Sequence, residues 1–129
     1  MKTIIESAQN RFFKKYKSLI QKKYRESEGL FLLEGQRYVD TAIEKGHLME
    51  AVLLDEHTWH ENQSSSHYED HCDVIVFSDS LFKELIQTEN TQGIVGVLKM
   101  PSEGELEMHL DTHPSDQILF LDRIQDPGN

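Results

Sequence analysis

Several short stretches of this chain hold side chains of the types that do chemistry. In Phe31-Leu32-Leu33-Glu34-Gly35-Gln36-Arg37 a short apolar run closes on an acid and a glycine, and a helical pattern opens at once. A helix N-terminus offers free backbone N–H groups that favour phosphate. Gly35 lets a backbone come close, and Arg37 adds a forked donor for phosphate or a base edge. The same residues also fit an ordinary strand-to-helix turn, with Glu34 paired to Arg25 or Arg37. In Thr91-Gln92-Gly93, two side chains could donate to a ligand at a strand entrance, although a glycine at such a point is commonplace. At the far end, Asp126-Pro127-Gly128-Asn129 is turn chemistry. It follows Ile118–Leu121, which reads as a buried strand, and a turn of this kind normally leads into another element.

Other candidates carry less. His57, His60, His67 and His71 beside Cys72 have spacings that resemble a metal cluster on paper. They lie in a polar, serine-rich stretch with no paired Cys-x-x-Cys, so the expectation is a solvated excursion and no metal. His109 and His113 add nothing to it. Cys72 opens a strand, where a free cysteine is ordinarily a small buried hydrophobe. No G-x-S-x-G, G-x-x-x-x-G-K-[ST] or G-x-G-x-x-G occurs, so hydrolase and nucleoside-triphosphate chemistries lack their usual anchors.

Charge points elsewhere. The 129 residues carry a net −10, which, spread evenly, would repel a polyanion. Between positions 1 and 25, however, eight Lys or Arg face a single acid, Glu6, a local +7 that leaves −17 on the remainder. Local field rather than net charge steers a polyanion to a surface. Arg11, Lys14, Lys15, Lys22 and Lys23 are candidate phosphate contacts for RNA or DNA. A solvated amphipathic helix would show the same pattern.

These residues need a scaffold. The composition, 37% hydrophobic and 28% charged, suits a globular domain. No apolar run reaches the ~20 residues of a membrane helix. No secretory signal is visible, and the lone cysteine fits a reducing cytosol. Phe12, Phe13, Tyr16, Leu19, Ile20 and Tyr24 recur at spacings of three and four, predicting one helix over about 7–25, capped by Ser7. Strands are expected at 30–35, 49–55, 72–78 and 94–100. Helices should follow the first and third of these, with Gly46 stopping the earlier one. This order implies a layered α/β domain over residues 1–100. Residues 101–116 read as an acidic linker, and 117–129 as the start of something further.

Taken together, these pieces resemble the N-terminal part of a SpoU/TrmH-class RNA 2′-O-ribose methyltransferase. The carriers are Asn10, the basic helix with Lys14, Arg25, the Phe-Leu-Leu-Glu-Gly-x-Arg segment ending at Arg37, Gln92-Gly93-Ile94, and Leu121-Asp122 running to Asp126-Pro127-Gly128-Asn129. The resemblance implies a small three-layer α/β/α sandwich, like that of certain kink-turn-binding ribosomal proteins, that holds structured RNA, either rRNA or tRNA. It implies that Asn10, Arg25, Glu34, Gly35, Arg37 and Gln92 shape the RNA site. It makes Asn129 the stub of a first catalytic motif, which in the family continues to an arginine implicated in catalysis. The knot that binds S-adenosylmethionine and joins a homodimer would lie beyond. These residues alone are therefore expected to bind no S-adenosylmethionine and to turn nothing over, and Ile118–Leu121 should be exposed here unless another chain pairs with it. A stand-alone RNA-binding module and an acidic protein-interaction module are the competing expectations.

Overall fold

The computed structural model describes residues 2–61, 66–86, 88 and 90–122. A five-stranded sheet forms its centre, built from β1 (Ile4–Ile5), β2 (Leu30–Glu34), β3 (Met49–Asp55), β4 (Asp73–Phe77) and β5 (Ile94–Lys99) in the order β1-β4-β3-β5-β2. β1, β4 and β3 run parallel, and β5 is antiparallel to both β3 and β2. The register gathers Glu34, Asp55, Phe77 and Ile94 at one end of the sheet.

Both faces are covered, which is why β3 reads as an unbroken apolar run rather than an alternation. Ala51 and Leu53 point to one face and pack with Phe13, Tyr16 and Leu19 of α1 (Arg11–Ser18) and its end, and with Leu81, Phe82 and Leu85 of α6 (Asp79–Ile86). Val52 and Leu54 point to the other. There they meet Val39 of α3 (Gln36–Glu44), Trp59 of α4 (Glu56–Glu61) and Tyr68 of α5 (Ser66–Glu69). The result is the expected three-layer α/β/α sandwich.

Apart from the stretch read as a solvated excursion, which holds α4 and α5 and buries Tyr68, and from β1, four features differ from the sequence reading. The single helix over 7–25 is two, α1 and α2 (Lys22–Glu28). The last turn of α1 tightens, with Leu19 N–H bonding the Tyr16 carbonyl at 3.1 Å and Gln21 N–H the Ser18 carbonyl at 3.0 Å. Gln21 is then extended, at φ −90° and ψ 130°. The apolar stripe runs through the break because a spacing of three or four survives a tight turn. The cap is Asn10, not Ser7. Its side chain accepts the Phe12 N–H at 2.9 Å. Asn10→Ala should therefore cost about 1 kcal/mol, read as a lower urea midpoint, whereas Ser7→Ala should cost much less.

The third difference is the stretch read as a linker. It holds α7 (Glu103–Thr112), begun by a reciprocal capping box between Ser102 and Glu105. The fourth is Ile118–Leu121, whose apolar run reads as a strand; the strand does not form, while the exposure expected of it in the absence of a partner is observed. These residues are irregular and 59–86% exposed. An apolar run makes a strand only when a neighbour offers backbone partners, and none does so among the described residues. The sequence pattern also gives no sign of β1, two residues that pair with Val76 and Phe77.

Candidate nucleic-acid interface

The structure divides the sequence-predicted residues into two groups. The first sits at the sheet end where β2 stops and β5 begins. Gly35, at φ 111°, caps α3, and its N–H bonds the Ile94 carbonyl at 3.0 Å. A Cβ on Gly35 would lie 3.1 Å from the Gln92 side-chain oxygen. The Glu-Gly-x-Arg and Gln-Gly-Ile segments, about sixty positions apart, are thus neighbours. Glu34 accepts a bond from the Thr88 hydroxyl at 3.4 Å. The strand-to-helix turn is formed, with Gly35 between β2 and α3, but among the described residues no ion pair joins Glu34 to Arg25 or Arg37. Arg37 is exposed, and its guanidinium has no partner among the described residues.

The same end contains a feature that the sequence reading missed. Asp55 closes β3 at 8% exposure and accepts the Thr58 N–H at 2.7 Å, while its own N–H bonds the Gly93 carbonyl at 3.0 Å. Gly93, at φ 73°, lies against Asp55 and Thr58 so closely that a Cβ would meet both. Asp79 accepts the His57 N–H at 3.1 Å. Asp55, His57, Asp79, Lys83, Asn90 and Thr91 line a shallow cavity of about 290 Å³. Only the polar character of Asp55 after four apolar positions could have signalled this arrangement.

The second group lies on α1 and α2. Arg11 and Lys14 are exposed. The Arg11 guanidinium sits 4.7 Å from the Phe12 ring centre, and the Lys14 ammonium has no partner among the described residues. Lys15 is engaged with Glu50 at 2.6 Å. Lys22 faces Glu26 at 3.6 Å, and Lys23 lies 4.7 Å from the Tyr24 ring centre. Lys17, not singled out from sequence, pairs with Glu84. Arg25 donates to the Leu19 and Ile20 carbonyls at 3.0 and 2.7 Å, so it ties α2 to the end of α1. Asn10 spends its side-chain oxygen on the cap. Asn129 lies outside the described residues.

The remaining candidates have structural explanations. The Cys72 thiol is pushed up from its ordinary range, by burial first and by Asp73 second, so it is protonated at neutral pH and a poor nucleophile. Among the described residues no three His, Cys, Asp or Glu converge on a metal position. His57 and His60 face Glu61 and Glu56 along α4 instead. Phe13 and Tyr16 are each 2% exposed and are core. The Tyr16 hydroxyl is raised by burial and by the Glu50 carboxylate it meets at 3.3 Å. A larger, apolar cavity of about 640 Å³ lies beside β2, lined by Phe31, Leu33, Tyr38, Leu98 and Met100 among others. None of the predicted site residues lines it.

This α/β/α sandwich, with a basic helix pair on one face and a glycine-closed sheet end, is a fold found in RNA methyltransferases. The solved structures agree. An rRNA methyltransferase from Sinorhizobium meliloti superposes with a TM-score of 0.64 at 20% identity, covering 78% of this chain and 38% of that one. An RNA 2′-O ribose methyltransferase gives 0.63 at 25% identity, over 78% and 39%. Residues 10–96 match the MRM3-like substrate binding domain, and the chain belongs to that family. A Bacillus subtilis (strain 168) relative, the 23S rRNA (guanosine(2553)-2′-O)-methyltransferase RlmP, is 32% identical over 125 residues. That match takes in 97% of this chain and 46% of RlmP, so the chain spans just under half the length of this relative.

Proposed function

We propose that this chain is the RNA-recognition part of an rRNA 2′-O-ribose methyltransferase that uses S-adenosylmethionine. The observation that carries this reading is the match to RlmP along nearly the whole chain. The exposed cations Arg11, Lys14 and Arg37 supply the physical means. Residues 1–100 form the recognition domain, 101–116 the connector that holds α7, and 117–129 the beginning of the catalytic domain, through which the parent pairs as a homodimer in the cytoplasm. Lys and Arg contacts to phosphate give affinity and register without reading sequence. The sheet end around Gly35, Arg37 and Gln92 then meets the nucleotides beside the target. Its part in the reaction is to hold one 2′-hydroxyl in place, since methyl transfer needs donor and acceptor aligned.

The described residues do not fit the methyl donor. No buried side-chain polar atom among them lacks a partner, and the cradle at Gly93 is filled by Asp55 and Thr58. No described helix is long and apolar enough to cross a membrane.

Fluorescence anisotropy with transcripts of 23S rRNA hairpins tests the reading. The logarithm of affinity should fall linearly with log salt, the signature of counterion release. Absence of binding at low salt, with capture of a basic protein instead, would make the acidic body the working surface and overturn the proposal.

A further inference from the structure

The break between α1 and α2 creates a cleft. Lys14, Lys17, Ser18, Ile20, Gln21 and Tyr24 line a half-open cavity of about 380 Å³ there. The bend that makes it is fixed from behind by Arg25, whose guanidinium holds the Leu19 and Ile20 carbonyls. The cleft is therefore a property of the fold rather than a gap between loose helices.

Its lining combines an aromatic surface with positive charge. Tyr24 falls on the same sequence stripe as Phe13 and Tyr16, yet it is 37% exposed where they are 2%, and it belongs to neither core cluster. Ile20 supplies a half-buried apolar wall. Lys14 brings an ammonium with no carboxylate partner among the described residues, and Lys23, outside the lining itself, holds another 4.7 Å from the Tyr24 ring centre, within reach of a phosphate seated there. The Ser18 hydroxyl is committed to the Lys15 carbonyl at 2.6 Å, which leaves the exposed Gln21 amide as the neutral hydrogen-bonding group. A flat apolar ring, two cations and an amide are what a nucleotide asks for, with a π-face for stacking, a phosphate and a base edge. A phosphate alone would need no ring. A base within a duplex has both faces covered by its neighbours.

We propose that the cleft between α1 and α2 is a subsite for one unpaired nucleotide of RNA, with its base against Tyr24 and Ile20 and its phosphate on Lys14 and Lys23. This rests on the RNA reading above and adds to it a requirement for a single-stranded or bulged position. The cavity lies at the low end of ligand-sized pockets, about 300 Å³ and upward, so it takes one nucleotide and not two.

The test uses a short single-stranded RNA and the same strand annealed to its complement, each titrated at fixed ionic strength. Tyr24→Ala should weaken single-strand binding roughly 5- to 100-fold, the range for loss of one stacked base, and change duplex binding less than about twofold. Tyr24→Phe should keep both affinities, because the ring and not the hydroxyl does the stacking. Thermal unfolding of each variant confirms that the exposed site tolerates the change. Equal loss on both probes, or no loss on either, would overturn the subsite while leaving RNA binding intact. A wild-type chain that binds neither probe would remove the RNA reading and the subsite with it.

Discussion

Gly93→Ala is expected to lower the unfolding free energy by roughly 2–4 kcal/mol, the sum of a left-handed backbone penalty and overpacking against Asp55 and Thr58. Gly93 has φ 73°, and an added Cβ would collide with the Thr58 hydroxyl and lie 2.8 Å from both Asp55 carboxylate oxygens. Asp55 cannot swing away without giving up the Thr58 N–H. The backbone cannot shift without loosening the bond from Asp55 N–H to the Gly93 carbonyl, which ties β3 to β5. Gly29 is the internal comparison. It has φ 63° with nothing within 4 Å of its Cβ position, so Gly29→Ala should cost only about 1 kcal/mol. Urea denaturation of both variants separates the two contributions, and equal losses would mean that crowding at Gly93 plays no part. The expected result assigns the glycine of Gln92-Gly93-Ile94 to closing the sheet end, and leaves Gln92 and Thr91 as the groups around it able to face a ligand.

Strands, stops and helix ends show where sequence is a sufficient guide and where it is not. β3 and β5 are legible because burial on both faces demands continuous apolar runs, and Gly29 and Gly46 mark real left-handed stops. The helix break at Leu19–Gln21 is not, since the stripe that buries Phe13, Tyr16 and Leu19 is blind to one tight turn. α7 is hidden for the opposite reason. It buries no residue, so it has no apolar periodicity to read, and only its capping box betrays it. Ile118–Leu121 reads as a strand because composition reports what a segment would bury, not whether a partner is present. In the candidate site, the segments holding Glu34, Gly35, Arg37 and Gln92 are recognisable one by one, and the sheet register brings them together. Arg25 and Asn10 look in sequence like ligand contacts, whereas their polar atoms serve the backbone around α1. A basic or amide side chain looks the same in sequence whether its partner is a phosphate or a helix end.

That ambiguity sets the design of the charge experiment. Arg11→Glu combined with Lys14→Glu should weaken binding to a 23S rRNA hairpin on the order of 10- to 100-fold at low salt and reduce the salt slope by about two, one for each phosphate no longer neutralised. These two are chosen because both are exposed and neither side chain makes an ion pair among the described residues. Lys15 is a poorer choice. Its reversal would set a second carboxylate against Glu50, which is half-buried beside the Tyr16 hydroxyl, and would confound binding with folding. Net charge must also be separated from local field. The reversed pair moves the chain from −10 to −14, and so does Lys45→Glu with Lys99→Glu. Those two lysines are also exposed and belong to neither basic helix: Lys45 follows α3 on the other face, and Lys99 ends β5. If the basic helix pair holds the RNA, the first double variant loses affinity and slope while the second loses clearly less of each, because direct phosphate contacts are removed only by the first and screening confines the remaining field of each charge to about 10 Å. Equal losses would instead make the effect one of overall repulsion, and the acidic body, not the basic helices, would govern how this domain meets a polyanion.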